Sequence, residues 1–334
     1  MRFCADKNKE WANGWQEVLR CTCSDKPQKE VKKPDELIKE LKRVIDKETK
    51  GKKIGLFLSS GMDSIILASM LPKETICYTV DFGEGVNESE GAKKYAKMFG
   101  MKHKILKVCM DDFLKYSDAL MAQCKSPLHA CGVPLYMMAL EAKKDGLDMV
   151  ITACSADSRF LGHDLILSRE WTLKEFDERY TFVKPELVLK NPVSIKPFYE
   201  KYVVDGKIDL QKFIVETQNC DYFYDCVELA GLELLNPFEY VCLNPKVWKE
   251  HRKILKKEKL PKPLVSDTFR NIFNEAPPRK MAFTRPMNAD SYLGKWEGPT
   301  RPEFRTDIDM SKLTGDQKYL LFTLEQFLNL IEGK

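Results

Sequence analysis

The run Ser59-Ser60-Gly61-Met62-Asp63-Ser64 packs three hydroxyls, a glycine and a carboxylate into little more than one turn of chain. It stands where an apolar stretch, KIGLFL, gives way to the helical spacing of DSIILASML. A strand that ends in small hydroxyl residues and passes at once into a helix builds a cradle for anions. Gly61 lets the backbone approach closely, the first helical turn offers N–H groups without intrahelical partners, and Ser59, Ser60 and Ser64 add hydroxyl donors. Asp63 is badly placed against bare phosphate but suits a magnesium ion that bridges phosphates. The same residues also suit an ordinary strand-to-helix turn with serine caps, and taken alone they leave the two readings level. Neither a Walker-type loop nor a G-x-G-x-x-G follows this strand.

Other chemistry-bearing residues are more scattered. Eleven cysteines include three groupings, Cys4 with Cys21 and Cys23, Cys124 with Cys131, and Cys220 with Cys226, none with the paired C-x-x-C of a structural metal site. Cys77, Cys109 and Cys242 lie in apolar runs and read as small hydrophobes. Of the four histidines, only His163, after Gly162 in RFLGHD, is kept as a site candidate. Arg159 suits a phosphate contact or a surface ion pair equally. The run KVWKEHRKILKKEKLPKP reads first as a solvated helix face, and second as a face whose lysines track phosphates beside Trp248. Arg270, Arg279, Arg285, Arg301 and Arg305, interleaved with Phe269, Phe273, Phe283 and Trp296, fit a lid over a bound ligand or a nucleic-acid surface.

The elements that must carry these residues alternate. DELIKELKRVIDKE is a helix with Asp35 as its cap. KIGLFL, TICYTVDF, HKILKV and DMVITA are strands, separated by helices over DSIILASML, ESEGAKKYAKMFG, DDFLKYSDALMAQ and VPLYMMALEAKKDG. Strict alternation predicts an α/β fold, a doubly wound parallel sheet over residues 35–163. Such sheets bind ligands beyond the carboxyl ends of their strands, where Ser59–Ser64, Asp81 and Ala153–Ser158 all fall. Residues 1–34 form a polar segment of unassigned role, with Trp11 and Trp15. Residues 164–334 read as a helical substrate or lid region, with helices over SREWTLKEFDERY, LQKFIVETQ, PKVWKEHRKILKKEKL and, from Thr314 or Asp316, TGDQKYLLFTLEQFLNLIE. The long aperiodic segment from Glu275 to Phe304 reads as a functional or disordered loop.

Composition limits the classes. In 334 residues, 43% are hydrophobic, and 54 basic against 50 acidic residues leave a net charge of +4. That is a mixed surface with a core, not the basic field of an obligate nucleic-acid binder. No stretch approaches the roughly 20 apolar residues needed to span a bilayer. With no secretory h-region at the N-terminus, the expectation is a reduced, cytoplasmic protein away from the membrane.

With these residues in place, a resemblance stands out. LSSGMDSIILASML resembles the S-G-G-x-D-S pyrophosphate loop of the ATP pyrophosphatases (the adenine nucleotide alpha hydrolase-like fold), specifically the synthetase domain of asparagine and β-lactam synthetases. CYTVDFGEGVNESEGAKKYAKMFGMKHKIL is similar to that family's second strand, acidic loop and helix. GLDMVITACSADSRFLGHD takes the place of its S-G-E-G-x-D-E loop, AGLELLNPFEYVCL of its G-L-E-x-R-x-P-F-L-D, and PRKMAF of its late R-x-K-x-x-F. The resemblance implies a two-step reaction. ATP adenylates a carboxylate or another carbonyl oxygen, pyrophosphate leaves, and ammonia or an amine displaces AMP. By position in the motifs, Ser59, Ser60, Gly61, Asp63 and Ser64 would hold pyrophosphate, and Val80 with Thr79 and Asp81 would meet adenine and ribose. Asp63 and Asp157 would bind Mg2+, and Lys280 would neutralise charge on the α-phosphate.

The departures are specific. The loop's first glycine is Ser60, and in the fourth-strand loop the family's glutamate is Cys154 and its final acid Ser158. Cys154 is then a buried thiol or a redirected catalytic group. The L-D of P-F-L-D is Glu239-Tyr240. About 35 residues precede the first helix, too few for a glutaminase domain, so the nitrogen is expected from a separate ammonia or amine donor. Two alternatives keep the site. One adenylates a nucleobase or tRNA for sulfur or nitrogen substitution, with nucleic acid admitted as a partner but not favoured. The other is a non-catalytic nucleotide-binding module.

Overall fold

The computed structural model describes residues 28–83, 88–217, 221–278 and 293–333. Lys280, Arg279, Arg285, Phe283, the two tryptophans of the N-terminal segment, and Cys4, Cys21, Cys23 and Cys220 lie outside these ranges.

A short strand β1 (Lys29–Val31) leads into α1 (Pro34–Glu48), and then the chain alternates. Strand β2 (Ile54–Phe57) is followed by α2 (Met62–Ala68), β3 (Ile76–Asp81) by α3 (Ser89–Met98), and β4 (Lys102–Lys107) by α4 (Met110–Cys124) and α5 (Gly132–Lys144). Strand β5 (Met149–Ile151) runs into the one-turn helices α6 (Ala156–Arg159) and α7 (Asp164–Leu167). Beyond it come α8 (Leu173–Tyr180), α9 (Pro185–Val188), α10 (Lys196–Glu200), the hairpin β6–β7 (Val203–Val204, Lys207–Ile208), α11 (Leu210–Thr217) and α12 (Asp221–Leu229). Strands β8 (Glu233–Leu235) and β9 (Val241–Leu243), α13 (Pro245–Glu258), α14 (Pro263–Phe273) and a terminal helix (Gly315–Ile331) complete the described chain.

Five strands form one sheet in the order β4-β3-β2-β5-β8, every neighbouring pair parallel. Side chains alternate between two cores, as strand geometry requires. Leu56, Cys77, Met149 and Ile151 face α1, α2, α3 and α14, whereas Phe57, Tyr78, Val80 and Val150 face α4, α5, α12 and the terminal helix. Both faces are covered, which is why these strands read as near-continuous apolar runs. The fold is therefore the doubly wound α/β architecture that the alternation predicts, with a largely helical C-terminal region.

Three details differ from the sequence reading, and a fourth settles an alternative it left open. The sheet does not close at residue 163, because β8 supplies its edge strand from Glu233–Leu235. Strand β8 opens on an exposed Glu233 and holds only Leu234 and Leu235 as apolar residues, too short an apolar run to signal a strand. Asp35 is not the cap of α1: Lys33 holds that position, Pro34 is the first helical residue, and Asp35 sits in the first turn, where a carboxylate opposes the helix dipole. Cys109 is exposed and caps α4, its thiol 3.3 Å from Asp112 Oδ2, and is not a packed hydrophobe. At the terminal helix Thr314 is the cap, paired reciprocally with Gln317.

Candidate active site at the switch point

From β2 the chain moves outward through β3 to β4; from β5 it moves the other way to β8. The loops leaving β2 and β5 therefore diverge, and the crevice between them is where an open α/β sheet takes a ligand. These loops lead into the first turns of α2 and α6, which carry Asp63 and Asp157.

The serine loop is closely bonded to itself. Ser64 Oγ accepts the Ser59 N–H at 3.1 Å and lies 2.9 Å from Ser59 Oγ, which in turn accepts the Gly61 N–H at 3.1 Å. The Ser60 N–H is held by the carboxyl of Glu88, a buried residue at the start of α3. Burial pushes that carboxyl up to about 7, against the lowering pull of the Ser60 N–H. Ser60 replaces the family's glycine, and its Cβ has room because residue 91 is a glycine: a Cβ there would stand 2.6 Å from Ser60 Cβ. Sequence reasoning passed over Glu88 and Gly91, although both lie in the acidic loop and helix that carried part of the resemblance.

Asp63 and Asp157 are brought together, and a third residue joins them. The Lys262 ammonium pairs with Asp63 Oδ2 and lies 2.8 Å from Asp157 Oδ1. Burial, the strongest single influence, lowers the pKa of that ammonium, but the summed pull of Asp157 and Asp63 outweighs it and leaves the lysine firmly charged. Gly162 packs directly on Asp157, where a Cβ would come within 2.0 Å of Asp157 Oδ1. Two carboxylates from opposed loops are the right donors for magnesium. The space between them, however, holds an ammonium, so the arrangement does not fit a magnesium ion bridging Asp63 and Asp157. Among the described residues, no group of three or more His, Cys, Asp or Glu gathers in a way that could hold a metal ion.

The other expected residues fall as follows. Val80 is buried in the second core, so only its backbone is left for a ligand, and Asp81 caps the β3 turn by accepting the Gly83 N–H at 2.8 Å. Thr79 Oγ1 donates to the Leu58 carbonyl at 2.6 Å and pairs with His103 Nε2 at 2.8 Å, tying the β2 and β3 ends together. Cys154 is half-buried and accepts from Asn236 Nδ2 at 3.1 Å. The Asn236 amide also donates to Ser155 Oγ at 2.6 Å and to Glu239 Oε1 at 3.1 Å, and Tyr224 donates to Glu239 Oε2 at 2.6 Å. A carboxylate thus shares one amide donor with the position where the family's glutamate has become Cys154. His163 Nε2 lies 3.4 Å from Ser158 Oγ. Arg159 is buried and donates to Gln28 Oε1 at 3.1 Å, so it does not lie on the surface. Three of the C-terminal arginines are spent on carboxylates: Arg301 on Glu303 and Glu332, each at 2.6 Å, Arg305 on Asp307 at 2.6 Å, and Arg270 on Asp267 at 2.8 Å.

The lysine-rich helix α13 borders a second depression of about 520 Å³ that includes Lys207, Trp248, Lys249, Arg252 and Lys253. Arg252 and Lys256 pair with Glu170, whereas no ion pair within 4.0 Å engages Lys207, Lys249 or Lys253 among the described residues.

Sheet order, switch-point crevice and facing aspartates define an α/β protein whose candidate site lies at the carboxyl ends of β2 and β5. The family model for asparagine synthase matches residues 39–259, more than half of the chain, and the protein belongs to that family, whose members use ATP. A stretch of 68 residues is 33% identical to the chloroplastic argininosuccinate synthase of Arabidopsis thaliana, covering 19% of this chain and 14% of that protein's length. Among solved structures, the NH3-dependent NAD synthetase of Campylobacter jejuni aligns with 75% of this chain and 100% of its own at 13% identity and a TM-score of 0.29. The U34-tRNA thiolase of Methanococcus maripaludis aligns with 72% of this chain and 81% of its own at 17% identity and a TM-score of 0.28. Overlaps of that size carry no functional inference. Among the described residues, no helix is long and apolar enough to cross a membrane.

Proposed function

We propose that this protein is an ATP-dependent C–N ligase that adenylates a carboxylate or carbonyl oxygen of a small molecule and then forms an amide or amidine. In the first step a substrate oxygen attacks the α-phosphorus, the α–β P–O bond breaks, and pyrophosphate leaves. In the second, ammonia or an amine attacks the activated carbon, the C–O bond to AMP breaks, and the nitrogen loses a proton to solvent. Ser59, Ser60, Gly61 and Ser64 would receive the pyrophosphate, exchanging their present bonds to one another and to Glu88 for bonds to phosphate oxygens. The backbone of Val80 and the Asp81 turn would meet adenine and ribose. Lys280, outside the described residues, keeps by motif the role of countering charge on the α-phosphate.

The observation that carries the reading is the convergence of Asp63 and Asp157, each from a family motif, on one cation at the switch point. Magnesium bound to the triphosphate would arrive with the substrate. The assay is pyrophosphate release from ATP on adding fractionated small metabolites with an ammonium salt. Asp63→Ala, with circular dichroism unchanged, is expected to lower release by about 10²-fold or more; retained turnover would count against the serine loop as the pyrophosphate site.

A second reading, adenylation of a nucleobase in RNA, draws on the α13 depression. Lys207, Lys249 and Lys253 have no ion-pair partner there among the described residues, which suits a phosphate backbone, whereas Trp248 is buried in the core with Arg252 over its ring and leaves no open face for a stacked base. Release stimulated by the RNA fraction, and lost in Lys249→Glu/Lys253→Glu, would favour it.

A further inference from the structure

The lysine at the crevice is held by more than its ion pairs. Lys262 is 2% exposed, lies between Pro261 and Pro263, and adopts φ 50°, ψ 59° as the cap of α14. A non-glycine residue in the left-handed region is strained, and a following proline disfavours helical-type backbone at that position further. Across from it Leu161, also left-handed at φ 62°, accepts the Lys262 N–H at 3.2 Å. The Lys262 carbonyl accepts the Ser266 N–H at 2.8 Å, and Ser266 Oγ donates to the Pro261 carbonyl at 3.2 Å. Helix α14 packs against α2, which carries Asp63, and against α1. The segment therefore cannot slide, and its strain persists because the packing around it over-determines the backbone, a pattern that concentrates at functional sites.

We propose that Lys262 is the resident cation of the crevice, its ammonium filling the position between Asp63 and Asp157 that a divalent ion would otherwise take. Two carboxylates that face one another at the end of a sheet need a counter-charge, and here the chain supplies it from α14. The ammonium is tethered, so it is present at any metal concentration. A divalent ion entering between the aspartates would have to displace it and leave a buried ammonium without its partners, which is strongly unfavourable. The loops after β2 and β5 and the start of α14 are thereby joined into one unit, whose charge does not change with free metal. The contrast with the magnesium expectation is chemical: the same two carboxylates are present, but their shared position already holds a cation.

The test uses the full chain and Mn2+ alone, with free ion followed by electron paramagnetic resonance. Wild type is expected to take up no stoichiometric Mn2+ at these aspartates, and Asp157→Asn to change nothing in the titration. Lys262→Met, which keeps the bulk of the stem and removes the charge, is expected to bind one Mn2+ at least about tenfold more tightly than wild type; the added site should vanish in Lys262→Met/Asp157→Asn. Wild-type binding of one equivalent that is lost in Asp157→Asn overturns the proposal. So does a folded Lys262→Met variant that gains no site. Should that variant fail to fold, the wild-type and Asp157→Asn titrations decide alone. No nucleotide enters the experiment, so its outcome is separate from that of the pyrophosphate assay.

Discussion

Cys154 and Asp157 lie three residues apart on the loop that leaves β5, yet they belong to clusters built in different ways. Asp157 joins Asp63 through the charge of Lys262, with three segments distant in sequence meeting at one ammonium. Cys154 joins Ser155, Glu239 and Tyr224 through the hydrogen bonds of the Asn236 amide. By the motif resemblance, the first cluster holds the two aspartates expected of the family and the second includes Cys154, which stands at a changed acidic position. An ionic cluster tolerates the loss of a member poorly, since the remaining charge is left uncompensated in a medium of low dielectric. A cluster built around an amide loses one hydrogen bond at a time. The crevice is thus organised by charge on the β2 side of β5 and by hydrogen-bond geometry on the β8 side.

The sharpest way to break this contrast is Lys262→Ala. It leaves Asp63 and Asp157 facing each other without the cation and is expected to cost about 3–5 kcal/mol in urea unfolding. Adding Asp63→Asn should return part of that loss, because one of the two uncompensated charges goes with it. A loss below about 1 kcal/mol would mean that the ion pairs are solvated in the native state and that the cluster is not buried as described.

Glu88 extends the ionic side, and its effect shows in pH. Its carboxyl is protonated more readily in the folded chain than in the unfolded one, because burial raises it from 4.5 to about 7. The folded state therefore loses ground as pH rises through that window, and above it the full penalty applies, up to about 3 kcal/mol. Glu88→Gln is expected to flatten the decline between pH 4.5 and 7 while leaving stability at lower pH nearly unchanged. Parallel stability profiles for wild type and variant across that range would show that Glu88 meets solvent.

On the hydrogen-bonded side, Asn236→Ala removes the shared donor of Cys154, Ser155 and Glu239. Glu239 keeps Tyr224 and Ser155, so the expected loss is about 1–3 kcal/mol, the cost of under-satisfied buried polar atoms. A loss as large as that of Lys262→Ala would erase the distinction between the two clusters.

How far these clusters could be read from sequence follows from how each is assembled. The strands and their order of appearance were legible because residues such as Leu56, Tyr78 and Val150 lie in apolar runs buried on both faces. That Asp63 and Asp157 meet was legible because each follows a recognisable motif at the end of a strand. Lys262 was hidden in a basic, proline-flanked run that reads as solvated surface. Its one local signal, a lysine fixed between Pro261 and Pro263, says that the backbone is rigid but not where it points. Helix α14 was missed although Leu264, Val265, Thr268 and Phe269 repeat on one buried face, because the run is bordered by prolines and shorter than its neighbours. Asn236 and Glu239 carry no periodic signal at all: their meaning comes from β8, which brings them beside β5.

Cys154→Ser is expected to have the smallest effect and does most to sharpen the comparison. A serine hydroxyl accepts from Asn236 as the thiol does, so stability should change by less than about 1 kcal/mol. A thiol acting as a nucleophile would make the same change costly, since a serine in its place would lack the reactivity of a thiolate. Pyrophosphate release within about twofold of wild type, with the second step equally unaffected, would fix Cys154 as a member of the Asn236 cluster. A selective loss of the second step, with pyrophosphate release intact, would instead place the thiol against the activated carbonyl. The hydrogen-bonded cluster would then be the machinery that orients a nucleophile, and the ionic cluster the one that handles phosphate.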